Sequence, residues 1–320
     1  MSETVVNRLA VIGCGLIGSS VARAAKAKGA AAWVAVYDAS EEARATIHAL
    51  GFADQVAETA AEAARDADIV LLATPPGAIG SAAKAITAVL KAGAILTDVG
   101  SVKSAVGEAL NAAAPNGVFV IPGHPIAGTE QSGPAAGFAS LFENRWTILC
   151  PSDRGDPGYA AALERLSAFW RTLGANVEAM SAAHHDLVLA VTSHLPHLIA
   201  YNIVGAASDL EEVTGAEVMK YSAGGFRDFT RIAASDPVMW RDVFLLNRDA
   251  VLEVLGRFTE DLQALSRAIR WGEGDKLEAL FARTRAIRQG IVAAGQESPE
   301  PNFGRDRPHP PAHPREGGDP

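Results

Sequence analysis

The chain has 320 residues, 48% of them hydrophobic and 20% charged, and this length predicts two domains of ordinary size. Its 28 basic and 37 acidic residues give a net charge of −9, which argues against a nucleic-acid-binding protein. The two cysteines exclude a disulfide framework and favour a reducing compartment. Residues 1–8 are too short and polar for a signal peptide, and no apolar run approaches the ~20 residues of a membrane span. We therefore expect a soluble, cytoplasmic protein that binds neither nucleic acid nor a membrane.

The first 180 residues alternate short apolar runs with alanine-rich amphipathic stretches. The apolar runs predict buried strands at residues 9–12, 33–37, 69–73, 94–97 and 118–121. The stretches between them predict helices near residues 18–28, 40–50, 60–66 and 79–90. This alternation indicates an α/β Rossmann-type fold, in which helices cover both faces of a doubly wound parallel sheet. Two more predicted strands, 146–149 and 177–180, flank a helix at 159–173 and could extend the same sheet.

After residue 180 the strand-like runs end and long helical patterns begin. They predict helices at residues 182–193, 196–209, 240–271 and 276–294. We expect a Rossmann-type domain at residues 1–180 and an all-helical domain at 181–295, whose apolar outer faces indicate burial against a second copy of the chain. Residues 296–320 are dense in proline, glycine and charge, which predicts a disordered tail.

A glycine-rich loop at residues 13–18 (GCGLIG) follows the first predicted strand and opens a helix. Its three glycines permit a tight turn, close approach of a pyrophosphate to the helix N-terminus, and close packing of helix on strand. Asp38, at the end of the second strand, can accept hydrogen bonds from both adenosine ribose hydroxyls and would repel a 2′-phosphate, which favours NAD over NADP. The predicted NAD-binding residues are Gly13, Gly15, Leu16, Ile17, Gly18, Asp38, Thr74 and Pro75. The alternatives are a glycine turn in an unrelated α/β protein and, for 74–75, an ordinary proline turn.

Two polar segments, DVGSVK at 98–103 and GHPIAGTE at 123–130, follow later strands of the predicted sheet. The carboxyl ends of parallel strands form the binding crevice of such folds. His124 is held between a glycine and a proline, which predicts a rigid imidazole. Histidine titrates near neutrality and suits the removal of a hydroxyl proton during hydride transfer. A structural loop histidine is the alternative interpretation.

Two segments of the helical part carry candidate substrate-binding groups. His194 and His197 lie three residues apart in SHLPH, on one face if the segment is helical. Carboxylate partners in the order typical of zinc sites are missing, so we expect no metal site. Arg227 and Arg231, in GGFRDFTR, can each bind a carboxylate in bidentate fashion. A surface ion pair with a nearby aspartate is the alternative for either arginine.

Taken together, these motifs resemble the prephenate dehydrogenase family, also called arogenate or cyclohexadienyl dehydrogenases. The segments that carry the resemblance, in family order over about residues 8–295, are GCGLIGSS, DVGSVK, GHPIAGTEQSG, SHLPH and GGFRDFTRIAASDPVMWRD. The resemblance implies an NAD-binding Rossmann-type domain and a helical domain that builds a homodimer. It also implies oxidative decarboxylation of prephenate to 4-hydroxyphenylpyruvate, or of arogenate to tyrosine, in tyrosine biosynthesis.

The resemblance further implies roles for individual residues. His124 matches the catalytic base that acts on the ring C4 hydroxyl, and Ser101 matches the serine that orients this hydroxyl. Arg231 matches the arginine that binds a substrate carboxylate, and His197 matches a substrate-side histidine with His194 nearby. The remaining substrate-binding candidates that it implies are Glu130, Arg227 and Trp240.

Two rival functions share part of this pattern. A β-hydroxyacid dehydrogenase or imine reductase has the same two-domain architecture, but usually depends on a lysine of the helical domain or lacks the GHPxAG histidine. Lys220 is the only lysine in the first part of the helical segment, and it lies outside any such motif. A catalytically silent NAD-binding sensor would predict decay of the reacting loops. The residues that speak against such decay are Ser101, His124, His197 and Arg231.

Overall fold

The computed structural model describes residues 4–129, 131–152, 155, 157–214 and 223–293. These residues form two compact units, one that ends at Phe258 and one that begins at Thr259. Glu130, Lys220 and the tail predicted at 296–320 lie outside the described residues.

A six-stranded parallel sheet forms the centre of the first unit, with the strand order β3-β2-β1-β4-β5-β6. Its strands are β1 (Val6–Ile12), β2 (Ala31–Tyr37), β3 (Gln55–Val56), β4 (Ile69–Leu72), β5 (Ile95–Asp98) and β6 (Phe119–Val120). The helices between them are α1 (Leu16–Ala27), α2 (Glu41–Leu50), α3 (Ala60–Ala64), α4 (Ile79–Ile86) and α5 (Ser104–Ala113). The predicted Rossmann-type fold is confirmed, although the sequence analysis missed β3 and α5. The order reverses between β1 and β4, so a crevice opens at the carboxyl ends of these two strands.

The sheet is buried on both faces, as the apolar runs predicted. Successive residues of β1 belong to different cores, because side chains alternate across a strand. Leu9 and Val11 pack in the cluster that includes Trp170, whereas Ala10 and Ile12 pack in the cluster that includes Ile79. Burial on both faces fixes the sheet and thereby the position of the loops at its edge.

The expectation that strands 146–149 and 177–180 extend this sheet is wrong. They belong to a second, three-stranded sheet of β7 (Gly123–Pro125), β8 (Trp146–Leu149) and β9 (Asn176–Ala179), with α6 (Tyr159–Thr172) between the last two. Strand β7 is antiparallel to β8, and β9 is parallel to it. Pro122 separates β6 from β7, and proline has no N–H to continue a ladder. The chain therefore leaves the first sheet here, and its new strand carries His124 opposite Ile148.

Helices make up the described chain after residue 180. Their bounds are α7 (Ala182–Leu189), a π turn (Ala190–His194), α8 (Leu195–Thr214), α9 (Gly224–Thr230), α10 (Pro237–Leu246), α11 (Arg248–Arg270) and α12 (Gly274–Ala293). The prediction of one helix over 240–271 is wrong, because the run is divided at Asn247. The side chain of Asn247 donates to the Asp186 carbonyl at 2.9 Å, so this residue joins α7 to the start of α11.

One helical segment contradicts the expectation that no run is long and apolar enough for a membrane span. By length and composition alone, Ala182–Asp209 meets that requirement. Three of its polar side chains, His185, Asp186 and His194, are buried within the protein. The apolar side chains of the segment are divided: Leu189 is buried, whereas Leu187 is exposed.

Candidate active site

The glycine-rich loop joins β1 to α1 in a shape that requires glycine at two positions. Gly13 has a φ of +92°, and a Cβ there would lie 2.7 Å from the backbone of Ala73. A Cβ at Gly18 would overlap the carbonyl oxygen of Gly13. Gly15 is different, because beyond its chain neighbours no described atom lies within 4 Å of a Cβ built there. The loop is thus tightly packed on one side and open at Gly15.

The open side leads to the uncapped N-terminus of α1. Gly15 is the N-cap, without a side-chain hydrogen bond, and the first turn begins with Leu16 and Ile17 and holds no acidic residue. The first N–H groups of a helix lack intrahelical acceptors and attract a phosphate. Thr74, directly beyond β4, has a buried hydroxyl with no hydrogen-bond partner among the described residues, and Pro75 beside it is exposed. These features fit a dinucleotide whose pyrophosphate lies at the open side of the loop.

Asp38 lies directly after β2, at the same carboxyl end of the parallel sheet as the glycine loop. Its Oδ2 accepts a hydrogen bond from the Cys14 amide at 2.8 Å, and its Oδ1 accepts one from the Ser40 amide at 2.9 Å. Each carboxylate oxygen can accept a further hydrogen bond, so the pair can still receive two ribose hydroxyls. The Asp38 carboxylate therefore both fixes the glycine loop and presents a negative charge next to it.

A chain of three side chains begins at His124 in β7. Its Nδ1 lies 2.9 Å from Nε2 of His185, and Nδ1 of His185 lies 2.9 Å from Oδ1 of Asp186. The last two residues belong to the first turns of α7, which Ser181 caps by accepting a hydrogen bond from the His184 amide. The Asp186 carboxylate also accepts the backbone amides 103 and 104 at 2.7 and 2.8 Å. The carboxylate at the end of the chain is thus held by two backbone amides as well as by His185.

The carboxylate determines which nitrogen of each ring carries a proton. An ionised Asp186 only accepts, so His185 holds its proton on Nδ1 and presents the lone pair of Nε2. This lone pair accepts the Nδ1 proton of His124. The Nε2 of His124 is then unprotonated, which is the form that a general base requires.

Burial keeps this chain of side chains in its base-competent state. Burial, followed by the positive charges of neighbouring groups, lowers the pKa of His124 well below 6.5. Burial also lowers the pKa of His185, against the hydrogen bond to Asp186. For Asp186 burial acts to raise the pKa, but the hydrogen bonds from His185, Ser104 and Lys103 outweigh it and lower the pKa. At neutral pH the site therefore holds two neutral imidazoles and one carboxylate.

His194 lies in the π turn and is completely buried. The amide nitrogen of Asn247 lies 3.0 Å from its Nδ1, so this nitrogen accepts and Nε2 carries the proton. Burial lowers the pKa of His194 to about 4. The nearby Ser101 carbonyl acts in the opposite direction, although Nε2 forms no well-aligned hydrogen bond with any described group. Asn247 thus contacts both His194 and the Asp186 carbonyl.

A second group of side chains surrounds His197. Its ring stacks on Trp240 with centroids 3.7 Å apart and planes at 23°. Its Nδ1 donates to the Ser193 carbonyl at 2.9 Å, so Nε2 is available to a ligand. Burial lowers the pKa of His197, and the charge of the nearby Arg231 adds to this effect. The Trp240 indole N–H is buried and has no partner among the described residues. The guanidinium and the indole N–H together suit a carboxylate ligand, whereas the unprotonated Nε2 of the neutral imidazole can accept a hydrogen bond from a ligand.

Two predicted substrate-binding residues remain, Arg227 and Glu130. Arg227 is exposed on α9, where its Nε lies 3.3 Å from Oδ1 of Asp228. This contact is the surface ion pair that is the alternative interpretation of Arg227. A substrate-binding role for Arg227 stays a prediction. Glu130 lies outside the described residues, so its role stays a prediction as well.

Three residues of the site, His185, Asp186 and Asn247, were not predicted from the sequence. One signal was available for the first two, since adjacent titratable residues directly after the N-cap Ser181 are unusual in a segment that is otherwise apolar. Asn247 gave no local signal, because a helical pattern continues on both sides of it.

Comparison with known proteins agrees with this architecture. Residues 21–179 match the family model "Prephenate dehydrogenase, nucleotide-binding domain", and residues 181–283 match "Prephenate dehydrogenase, dimerization domain". The chain is 45% identical to a cyclohexadienyl dehydrogenase of Zymomonas mobilis, over 90% of this chain and 97% of that protein. It is 31% identical to a prephenate dehydrogenase of Bacillus subtilis, over 91% of this chain and 76% of that protein.

A solved structure supports the same relationship. The prephenate dehydrogenase of Aquifex aeolicus, in complex with hydroxyphenyl propionate and NAD+, matches with a TM-score of 0.83 and 31% identity over 91% of this chain and all of that one. The fold and the matches define a nucleotide-binding oxidoreductase. The chain belongs to the prephenate dehydrogenase family, and the resemblance inferred from its motifs is confirmed.

The buried histidines predict that the protein loses stability on mild acidification. Each has a folded-state pKa below 6.5, so under pH 6.5 the unfolded chain binds more protons than the folded one. The four are His124, His185, His194 and His197. Stability should be fully present above pH 6.5 and fall as the pH drops toward about 4, by up to about 1.4 kcal/mol per pH unit for a fully buried ring. Thermal unfolding at half-unit steps from pH 7.5 to 5 measures this slope.

Two variants test whether the four histidines cause that slope. His194→Asn keeps an acceptor near Asn247 and removes one proton-binding group, so it should flatten the slope. His48→Gln, at an exposed position on α2, should leave it unchanged. An equal slope in wild type and His194→Asn would contradict the assignment.

The glycine loop gives a prediction that separates fold from ligand binding. Gly18→Ala should lower the melting temperature clearly, because its Cβ overlaps the Gly13 carbonyl oxygen. Gly15→Ala should leave the melting temperature nearly unchanged and weaken NAD binding at least tenfold, because its Cβ would fill the space open to a pyrophosphate. Thermal unfolding and calorimetric titration with NAD measure both effects. Wild-type NAD affinity in Gly15→Ala would place the pyrophosphate elsewhere.

Proposed function

We propose that the protein catalyses the NAD-dependent oxidative decarboxylation of prephenate to 4-hydroxyphenylpyruvate, of arogenate to tyrosine, or of both, in tyrosine biosynthesis. The observation that carries this proposal is the hydrogen-bonded chain from His124 through His185 to Asp186, which leaves one imidazole nitrogen unprotonated. Family membership supplies the reaction to which this base belongs.

The first step for the protein is removal of a proton from the ring C4 hydroxyl. Nε2 of His124 accepts this proton while Nδ1 of His124 remains hydrogen-bonded to His185. The new positive charge can pass along the hydrogen bond to His185, whose other nitrogen faces the Asp186 carboxylate. A carboxylate next to a newly formed imidazolium stabilises it, as in other imidazole–carboxylate pairs. Ser101 orients the hydroxyl in this proposal.

Bound NAD supplies a nicotinamide ring that accepts the hydride from C4. The loop at Gly15 and the N-terminus of α1 hold its pyrophosphate, and Asp38 binds its adenosine ribose. Once C4 is a ketone, the ring draws the electron pair of the departing carboxylate, and loss of carbon dioxide yields an aromatic ring. The protein therefore has to align the reactants and position the base rather than drive the second bond cleavage.

Arg231 and Trp240 bind a substrate carboxylate in this proposal, and His197 belongs to the same substrate-binding group through its ring, which stacks on Trp240. The support is their proximity: the imidazole stacks on the indole, and the guanidinium lowers the pKa of that imidazole. A bound carboxylate would give the buried indole N–H the hydrogen-bond partner that it lacks among the described residues.

We also propose that the protein is a cytoplasmic homodimer with a domain boundary near residue 180, where its two family models meet. The helical segment beyond this boundary matches a dimerization domain, and it exposes large apolar side chains. These exposed side chains include Leu187, Val191 and Ile203. Burial against a second copy would remove their surface from water.

The assignment predicts NADH formation from prephenate or arogenate with release of carbon dioxide. Purified protein is mixed with each substrate and with NAD or NADP, and absorbance at the nicotinamide band and evolved carbon dioxide are measured. We expect one carbon dioxide per NADH and a preference for NAD. Absence of NADH above background with both substrates and both cofactors would reject the function.

The proton chain predicts distinct effects for two variants. His124→Asn should lower kcat by at least a thousandfold with little change in KM, because the base is lost. Asp186→Asn should lower kcat about tenfold to a thousandfold, because an amide can donate to His185 and reverse both tautomers. Steady-state kinetics with the better substrate measures both. Unchanged kcat in His124→Asn would remove this residue from the base role, and unchanged kcat in Asp186→Asn would remove the carboxylate from the proton chain.

A further inference from the structure

A buried ion pair contacts the backbone of Gly123, the residue before His124 in β7. The Lys103 ammonium is completely inaccessible to solvent and contacts the Asp98 carboxylate. It also donates to the Gly123 carbonyl at 2.6 Å. Oδ1 of Asp98 in turn accepts the Gly123 amide at 3.2 Å, and its Oδ2 accepts the Gly100 amide at 2.7 Å. Both backbone polar groups of the residue before His124 are therefore held by the two partners of one ion pair.

Lys103 also contacts the far end of the proton chain. Its backbone amide donates to Oδ1 of Asp186 at 2.7 Å, the same oxygen that receives His185. One residue thus fixes the carboxylate end through its backbone and the base end through its side chain. Lys103 thereby holds α7 next to β7. The contact between the two imidazoles depends on this spacing.

The stability of the fold alone does not account for a charge at this position. Moving an ammonium and a carboxylate out of water is costly, and well-packed apolar residues of similar volume are often as stable. A buried ion pair is therefore weak evidence for a role in stability alone. The role of this pair is electrostatic as well as geometric, because Lys103 lies among the charges that face His124.

The groups that face His124 come from three elements besides its own strand. His185 and Asp186 approach from α7, His194 from the π turn, and Lys103 with Asp98 from the end of β5 and the segment after it. Burial, then His185, then Lys103 lower the pKa of His124. Among these groups, Lys103 is the one whose ammonium belongs to a completely buried ion pair.

We propose that Lys103 is a positioning residue of the dehydrogenase reaction, which clamps the Gly123 peptide against Asp98, anchors Asp186, and keeps the His124 imidazole uncharged. The proposal rests on the proposed function for its kinetic part. Its structural part concerns the protonation of His124, which is measurable without any substrate.

The test replaces Lys103 with methionine, which keeps much of the volume and removes the charge. Burial already raises the pKa of Asp98, so without the ammonium its carboxyl should take up a proton and remain neutral. We expect the acid limb of kcat against pH to move upward by about half a pH unit or more, and kcat at its plateau to fall about tenfold. The ¹⁵N titration of His124, assigned by its absence in His124→Asn, should shift upward by the same amount.

A control uses a lysine–aspartate pair at the amino ends of the parallel strands, whereas Asp98 lies at the carboxyl end of β5. Lys91, which is partly exposed, contacts Asp68 at 2.7 Å, so Lys91→Met removes a lysine from the other end of the sheet. This control should leave the acid limb and the His124 titration at their wild-type positions. An unmoved limb and titration in Lys103→Met would overturn the proposal, as would an equal shift in Lys91→Met.

A second variant covers the case in which Lys103→Met does not fold. Lys103→Met with Asp98→Asn removes both charges and leaves an amide that can still accept the Gly100 amide hydrogen. It should show the same upward shift of the His124 titration. Failure of both variants to fold would assign the pair to the fold itself and overturn the positioning role. Inactive wild-type protein would reject the proposed function, while the titration would still decide the role of Lys103.

Discussion

The carboxylate of Asp186 is the constraint on which the active site depends. Its position after the N-cap of α7 places it against two backbone amides and one imidazole, and these hydrogen bonds keep it ionised in a buried setting. An ionised acceptor leaves His185 only one tautomer, and that tautomer leaves His124 only one. The protonation of His124 is therefore determined by a carboxylate that lies two hydrogen bonds away.

The protein uses two sheets to position the cofactor-binding residues and the base. The parallel sheet presents the loop at Gly15 and the carboxylate of Asp38 at the carboxyl ends of its strands, as any doubly wound fold does. The proton chain needs a strand that approaches α7 instead. Pro122 ends the pairing of β6, and the next three residues pair with β8, which carries His124 toward His185. The departure from a regular sheet is thus what places the base beside its partners.

The sequence predicts the parts of this site that follow from local rules. The glycine loop and Asp38 could be recognised because tight turns and helix N-termini require particular residues at fixed spacing. The contacts of Lys103 and Asp186 could not, because they join residues 83 positions apart. Periodicity also failed at Asn247, where the helical pattern continues but the side chain is drawn to the Asp186 carbonyl. Long-range hydrogen bonds of buried polar groups leave little trace in local patterns.

The helical segment Ala182–Asp209 buries polar side chains together with apolar ones and leaves other large apolar side chains exposed. Its polar residues His185, Asp186 and His194 are buried, while Leu187 and Val191 are exposed. A monomeric helix would bury the apolar side, because removal of apolar surface from water is the larger gain. Another surface over the exposed apolar side chains would remove them from water. The proposed dimer would provide that surface, so the burial of the proton chain and the association of two copies would depend on opposite sides of one helix.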